Sequence, residues 1–150
     1  MSNPILIVCG SRRWVDRRRL IDTLDRLCCQ PGSLGYWPAE LWHGGAVGAD
    51  QMAGEFAAAE PYRLPVRVWP ADWARYGRSA GVRRSAEMVA AAPAGSLVVA
   101  FVPGRLAESA GTAHTVRLAR RRGLTVVVVD SDGQRVLAEA QALPQLEEQP

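Results

Sequence analysis

Three apolar runs of strand length constrain this chain more than any other feature. Ile5–Cys9 ends at Gly10-Ser11, Leu97–Val102 ends at Pro103-Gly104, and Leu124–Val129 follows Gly123. A run without polar alternation suits a strand covered on both faces, as inside a parallel sheet. Leu41-Trp42-His43 and Val66-Arg67-Val68-Trp69 read as two shorter strands. Helical periodicity fills the gaps. Asp16 caps a helix with Leu20, Ile21, Leu24, Leu27 and Cys28 on one face, broken by Pro31, Gly32 and Gly35. A second helix follows Asp50, a third runs from Val82 to Ala92, and a fourth from Gly111-Thr112 to Arg122. Ala71 to Gly81 reads as a loop. Strands alternating with helices give the α/β class. The expectation is a single Rossmann-like, doubly wound domain with a mainly parallel five-stranded sheet, ordered 3-2-1-4-5, and helices on both faces. The domain is expected to span residues 1–133, with 134–150 a C-terminal tail forming a short helix.

Composition excludes several function classes. The 150 residues carry 18 basic and 15 acidic groups, a net charge of +3. Every basic residue is arginine, so neither a Schiff-base lysine nor a Walker-type phosphate lysine is present in this chain. The charge is too small, and the runs Arg17-Arg18-Arg19 and Arg120-Arg121-Arg122 too short, to argue for a nucleic-acid partner. No apolar run reaches the ~18 residues of a membrane span, and the N-terminus lacks a signal pattern. A cytoplasmic protein without membrane contact is expected. Cys9, Cys28 and Cys29 have neither disulfide-framework nor zinc spacing, so reduced thiols and no metal are expected.

Ligands of such sheets bind beyond the carboxyl ends of the strands, and the unusual residues of this chain gather there. Gly10, Ser11 and Arg12 follow the first strand. Gly44, Gly45, Ala46 and Gly48 follow the second and form one candidate phosphate cradle; Gly104, Gly111 and Thr112 follow the fourth and form another. Glycine at a tight strand-to-helix turn also serves geometry alone. Neither cradle is a GxGxxG fingerprint, which disfavours a nicotinamide oxidoreductase. Arg84 can clamp a phosphate or carboxylate in two-pronged fashion, or stand in solvent beside Arg83. Asp50 and Asp72 can cap helices or accept from ribose hydroxyls. Trp14, Trp73 and Tyr76 can stack on a base or pack on the core.

Taken together, Gly10-Ser11-Arg12-x-Trp14-x-Asp16, His43-Gly44-Gly45-Ala46-x-Gly48-Ala49-Asp50, Pro70-Ala71-Asp72-Trp73-x-x-Tyr76-Gly77, Ala80-Gly81-x-x-Arg84-x-x-x-Met88 and Gly111-Thr112-Ala113 resemble YspA-like members of the SLOG superfamily, the Smf/DprA–LOG group. The resemblance covers about residues 5 to 129. It implies a Rossmann-like fold, a nucleotide or nucleotide-derived ligand, no other cofactor, and a homodimer with the Arg84 helix near the partner.

The related LOG phosphoribohydrolases carry Arg-x-x-x-Met, matched by Arg84 and Met88, and Pro-Gly-Gly-x-Gly-Thr-x-x-Glu, matched only in part. Six residues separate Gly104 from Gly111, and the catalytic glutamate position falls on Thr115. Cleaving an N-glycosidic bond calls for a carboxylate, which threonine does not replace; Asp50, Asp16 or Glu108 would have to act instead. Two readings follow. The first is a protein that binds a nucleotide-type ligand as a sensor or by sequestration. The second is an enzyme that hydrolyses a nucleoside monophosphate, with Arg84 and Asp50 as its catalytic groups. A DNA-binding role, by analogy with the DprA branch, is disfavoured by the weak charge.

Overall fold

The computed structural model describes residues 4–29 and 38–137. Five parallel strands, β1 (Leu6–Gly10), β2 (Leu41–His43), β3 (Val66–Val68), β4 (Leu97–Phe101) and β5 (Thr125–Asp130), lie in the order β3-β2-β1-β4-β5. This is the expected Rossmann-like order. β1 and β4 pair over their full length, from Leu6 opposite Leu97 to Gly10 opposite Phe101. The apolar runs have the cause the sequence suggested: alternate residues of one strand enter two different cores. Leu6 and Val8 face α1 (Arg17–Leu24) and α2 (Ala49–Ala58), packing with Leu20, Leu24 and Phe56. Ile5, Ile7 and Cys9 face α4 (Ala80–Ala91) and α5 (Ala110–Arg121), packing with Met88, Val89 and Val116. With both faces covered, no position of β1 can be polar without an unpaired buried group.

Three local expectations are corrected. Gly133–Leu137 is a sixth strand, β6, antiparallel to β5, so Gln134–Leu137 is not the start of a helix. A buried carboxylate holds it there: Asp130 accepts two bonds from Arg135, at 2.8 and 3.1 Å, and another from the Asp132 N–H at 2.9 Å. The remaining tail, 138–150, lies outside the described residues. The supposed loop from Ala71 holds a one-turn helix, α3 (Trp73–Tyr76), then a 3₁₀ turn over Gly77–Ser79 that feeds directly into α4. The Asp72 carboxylate starts α3 by accepting from the Arg75 N–H at 3.1 Å. Finally, α1 is capped by Asp16 as expected, accepting from Arg19 N–H at 3.0 Å, but Asp25–Cys29 winds as a π-helical segment. The breakers Pro31, Gly32 and Gly35 lie outside the described residues. No helix among the described residues is long and apolar enough to cross a membrane.

Candidate functional site

A cavity of about 680 Å³ opens beyond the carboxyl ends of β1, β2 and β4, within the size range of small-molecule sites. It draws together the turns that were singled out separately. Gly10, Ser11 and Arg12 come from the end of β1; Gly44, Ala46 and Asp50 from the β2–α2 turn; Trp73 from α3; Arg84 from α4; and Gly104, Gly111 and Thr112 from the β4–α5 side. Gly45, Gly48, Asp72, Trp14 and Tyr76 are not among its walls.

The β2–α2 turn is closed on itself. Gly44 N–H and Ala46 N–H donate to one oxygen of Asp50, at 3.0 and 3.3 Å. Gly45 N–H donates to His43 Nδ1 at 2.9 Å, and Ala49 N–H to the Ser11 carbonyl at 3.4 Å. Four N–H groups of this turn are therefore already in use. The glycines here answer to packing. At Gly48, φ is +86°, and a Cβ would sit 2.6 Å from the Ser11 carbonyl oxygen and 2.8 Å from that of Arg12. At Gly44, a Cβ would collide with the Arg84 guanidinium, which lies across the glycine. At these points the turn, expected as the first candidate cradle, is a scaffold braced by protein atoms.

Arg84 belongs to the same scaffold. Its Nη1 donates to the Gly44 carbonyl at 2.6 Å and to the Trp69 carbonyl at 3.1 Å, tying α4 to the ends of β2 and β3. Its Nε is buried with no partner among the described residues. Burial lifts the Asp50 carboxyl from 3.8 to about 6, because removing its charge from water outweighs the hydrogen bonds from Ala46 and Gly44 and the nearby Arg84 and Arg12. His43 is held below its ordinary value, first by burial and then by Arg84. It is a neutral imidazole accepting at Nδ1, a hydrogen-bonded strand-end residue. The Cys9 thiol lines the cavity but is pushed up strongly by burial and by Asp50, so it is not a thiolate nucleophile.

The second cradle is open. α5 begins at Ala110 without a side-chain cap, since the Ser109 hydroxyl donates to Thr112 Oγ1 at 3.1 Å. Among the described residues, the N–H groups of Gly111 and Thr112 donate to nothing, as expected of a first helical turn. His114 lines the same wall, and its Nε2 is buried without a partner among the described residues. Thr115 also lines the cavity, but its hydroxyl donates to the Gly111 carbonyl at 3.1 Å. Glu108 is on the wall nearby, where its Oε1 accepts from the Arg105 N–H at 2.9 Å. Of the three carboxylates considered as substitutes, Asp50 and Glu108 reach the cavity, whereas Asp16 caps α1.

The aromatic candidates separate clearly. Trp14 is 4% exposed, tilts against Phe101 with centroids 5.3 Å apart, and donates from Nε1 to the Asp16 carbonyl at 3.0 Å. It is a core residue. Tyr76 sits between the guanidiniums of Arg75 and Arg83, at 5.1 and 4.4 Å. Trp73 alone lines the cavity, 51% exposed, its ring against Gly81 of α4. Sequence reasoning missed Arg13, Arg78 and Arg105, which also line the cavity. All three lie in turns between elements, where an exposed arginine carries no periodic signal. No cluster of three or more His, Cys, Asp or Glu able to hold a metal occurs among the described residues.

Comparison with known proteins gives the family. The family model of the YspA, cpYpsA-related SLOG family matches residues 4–76, the stretch containing β1, the closed β2–α2 turn and α3. A protein of Mycobacterium phage D29, the gene 61 protein, is 36% identical over 126 residues, which cover 81% of this chain and 93% of the phage protein. No solved structure matches. The chain therefore belongs to the YspA, cpYpsA-related SLOG family.

Proposed function

We propose that the chain binds a nucleotide or nucleotide-derived ligand in this cavity, as a sensor or by sequestration. One observation carries the reading: an arginine-lined cavity beyond the strand ends meets the open first turn of α5. Guanidiniums and unpaired helix N–H groups are donors without acceptors, and a phosphate is an acceptor without donors. In this reading Gly111 and Thr112 hold a phosphate, and the Ser11 hydroxyl, whose oxygen accepts from Arg13 N–H at 3.0 Å, turns its proton to the ligand. The half-exposed ring of Trp73 offers a face to a base. Arg84, Gly44 and Asp50 keep the floor rigid. Following the family resemblance, the proposal includes a homodimer. Native mass spectrometry of the purified protein, then identification of any released small molecule, tests the reading. A co-purified intact nucleotide supports it. An empty protein that also gives no thermal shift across a nucleotide panel refutes it.

A second reading, N-glycosidic hydrolysis of a nucleoside monophosphate, has one specific observation in its favour. Asp50, with a carboxyl near 6, and Glu108 share the cavity that Thr115 lines without a carboxylate. A carboxyl at that value can both give and take a proton near neutrality. Release of free base by the wild type and its loss in Asp50→Asn would establish this reading; no release from any nucleoside monophosphate would remove it.

A further inference from the structure

The charge lining the cavity bears on the phosphate count of a ligand, a question that rests on the nucleotide reading. Among the described residues, five arginines, Arg12, Arg13, Arg78, Arg84 and Arg105, line the cavity with two acidic residues, Asp50 and Glu108, an excess of three positive charges. Arg84 is tied to two backbone carbonyls, and Glu108 to a backbone N–H. The side chains of Arg12, Arg13 and Arg78 donate no hydrogen bond among the described residues. They stand on separate elements: Arg12 and Arg13 after β1, and Arg78 in the turn between α3 and α4. Like charges gathered in one cleft repel until an anion compensates them. A phosphate monoester brings about −1.5 to −2 and three terminal oxygens, too little charge for this wall. In the β2–α2 turn the N–H groups of Gly44 and Ala46, which line the cavity, are taken by Asp50, so side chains on that wall hold the rest of the anion.

We infer that the cavity is built for a diphosphate-bearing nucleotide, with one phosphoryl group on the Gly111–Thr112 turn of α5 and the other among Arg12, Arg13 and Arg78.

Calorimetric titration of the dialysed protein, without divalent cations, tests this with AMP, ADP, GMP, GDP, inorganic phosphate and inorganic pyrophosphate. The expected result is that at least one diphosphate binds about tenfold or more tighter than its monophosphate, and pyrophosphate about tenfold tighter than phosphate. Arg13→Gln and Arg78→Gln, both at exposed positions and checked for native circular dichroism, should each bring that preference to within about threefold. Equal binding of mono- and diphosphates overturns the inference and leaves the nucleotide reading standing. Pyrophosphate binding without any nucleotide binding overturns the nucleotide reading and keeps the anion assignment. Binding of none of the six overturns both.

Discussion

Asp50→Asn isolates the cost of the buried carboxyl that holds the β2–α2 turn. The folded protein raises Asp50 from 3.8 to about 6, so the folded state binds its proton more tightly than the unfolded chain does. Stability from this group is therefore fully present below about pH 4 and is lost as the pH rises through about 6. The two-unit difference, at about 1.4 kcal/mol per unit, amounts to about 3 kcal/mol in all. About half of it is lost between pH 5 and pH 8. Asparagine keeps an oxygen for Gly44 N–H and Ala46 N–H but has no charge to bury. His43, held below its ordinary value, acts in the opposite sense, since an unfolded chain that takes up a proton on acidification favours unfolding. It is present in both proteins and cancels in their difference. The assay is urea unfolding of wild type and Asp50→Asn at pH 5 and pH 8, with equal slopes required before the midpoints are compared. The expected outcome is that the variant gains about 1–2 kcal/mol on the wild type between those two conditions. Parallel pH dependence in the two proteins would refute the reasoning, because Asp50 would then be no harder to ionise folded than unfolded.

Three further outcomes follow. Gly44→Ala should cost about 1–3 kcal/mol in chemical denaturation, because the new methyl displaces the Arg84 guanidinium from the Gly44 and Trp69 carbonyls; an unchanged midpoint would mean that the guanidinium moves aside freely. Arg135→Gln should lower stability by about 1–3 kcal/mol at pH 7, a difference that shrinks as acid protonates Asp130, which Arg135 holds below its ordinary value. Because Asp130 also accepts from Leu106 N–H at 3.0 Å, hydrogen exchange of the 104–108 segment should rise in that variant. Cys9 should resist iodoacetamide in the folded protein at pH 8 and react once unfolded, as read by intact mass; rapid native labelling would contradict its burial beside Asp50.

The sheet was legible because its code is redundant. Each residue of Ile5–Cys9 and Leu97–Phe101 is apolar for the same reason, and the glycines at the strand ends set the boundaries. β6 was not legible from apolar pattern, since Gln134 and Arg135 are polar. Its signals were the Asp130-Ser131-Asp132-Gly133 turn and one long-range pair, Asp130 with Arg135. The candidate site divides in the same way. The turns that build the cavity were found, because strand-end glycines are local features. How the donors of each turn are used was not, because that depends on where the Asp50 carboxylate turns and on the Arg84 guanidinium, which reaches Gly44 from forty residues away. Glycine marked Gly44 and Gly48 as candidate phosphate ligands; what the fold itself shows at both is close approach of other protein atoms. Trp14 and Trp73 both lie a few residues beyond a strand end, and only the fold buries one and leaves the other on the cavity wall.

The most direct test of the central claim is a nitrogen-15 amide spectrum of the protein titrated with a nucleoside diphosphate. The account predicts saturable shifts at Ser11–Arg13, Gly104–Thr112 and the Trp73 indole, with Gly45 and Ala49, whose N–H groups are already bonded, moving least. Saturable shifts centred on another face of the sheet, or none at millimolar nucleotide, would contradict it.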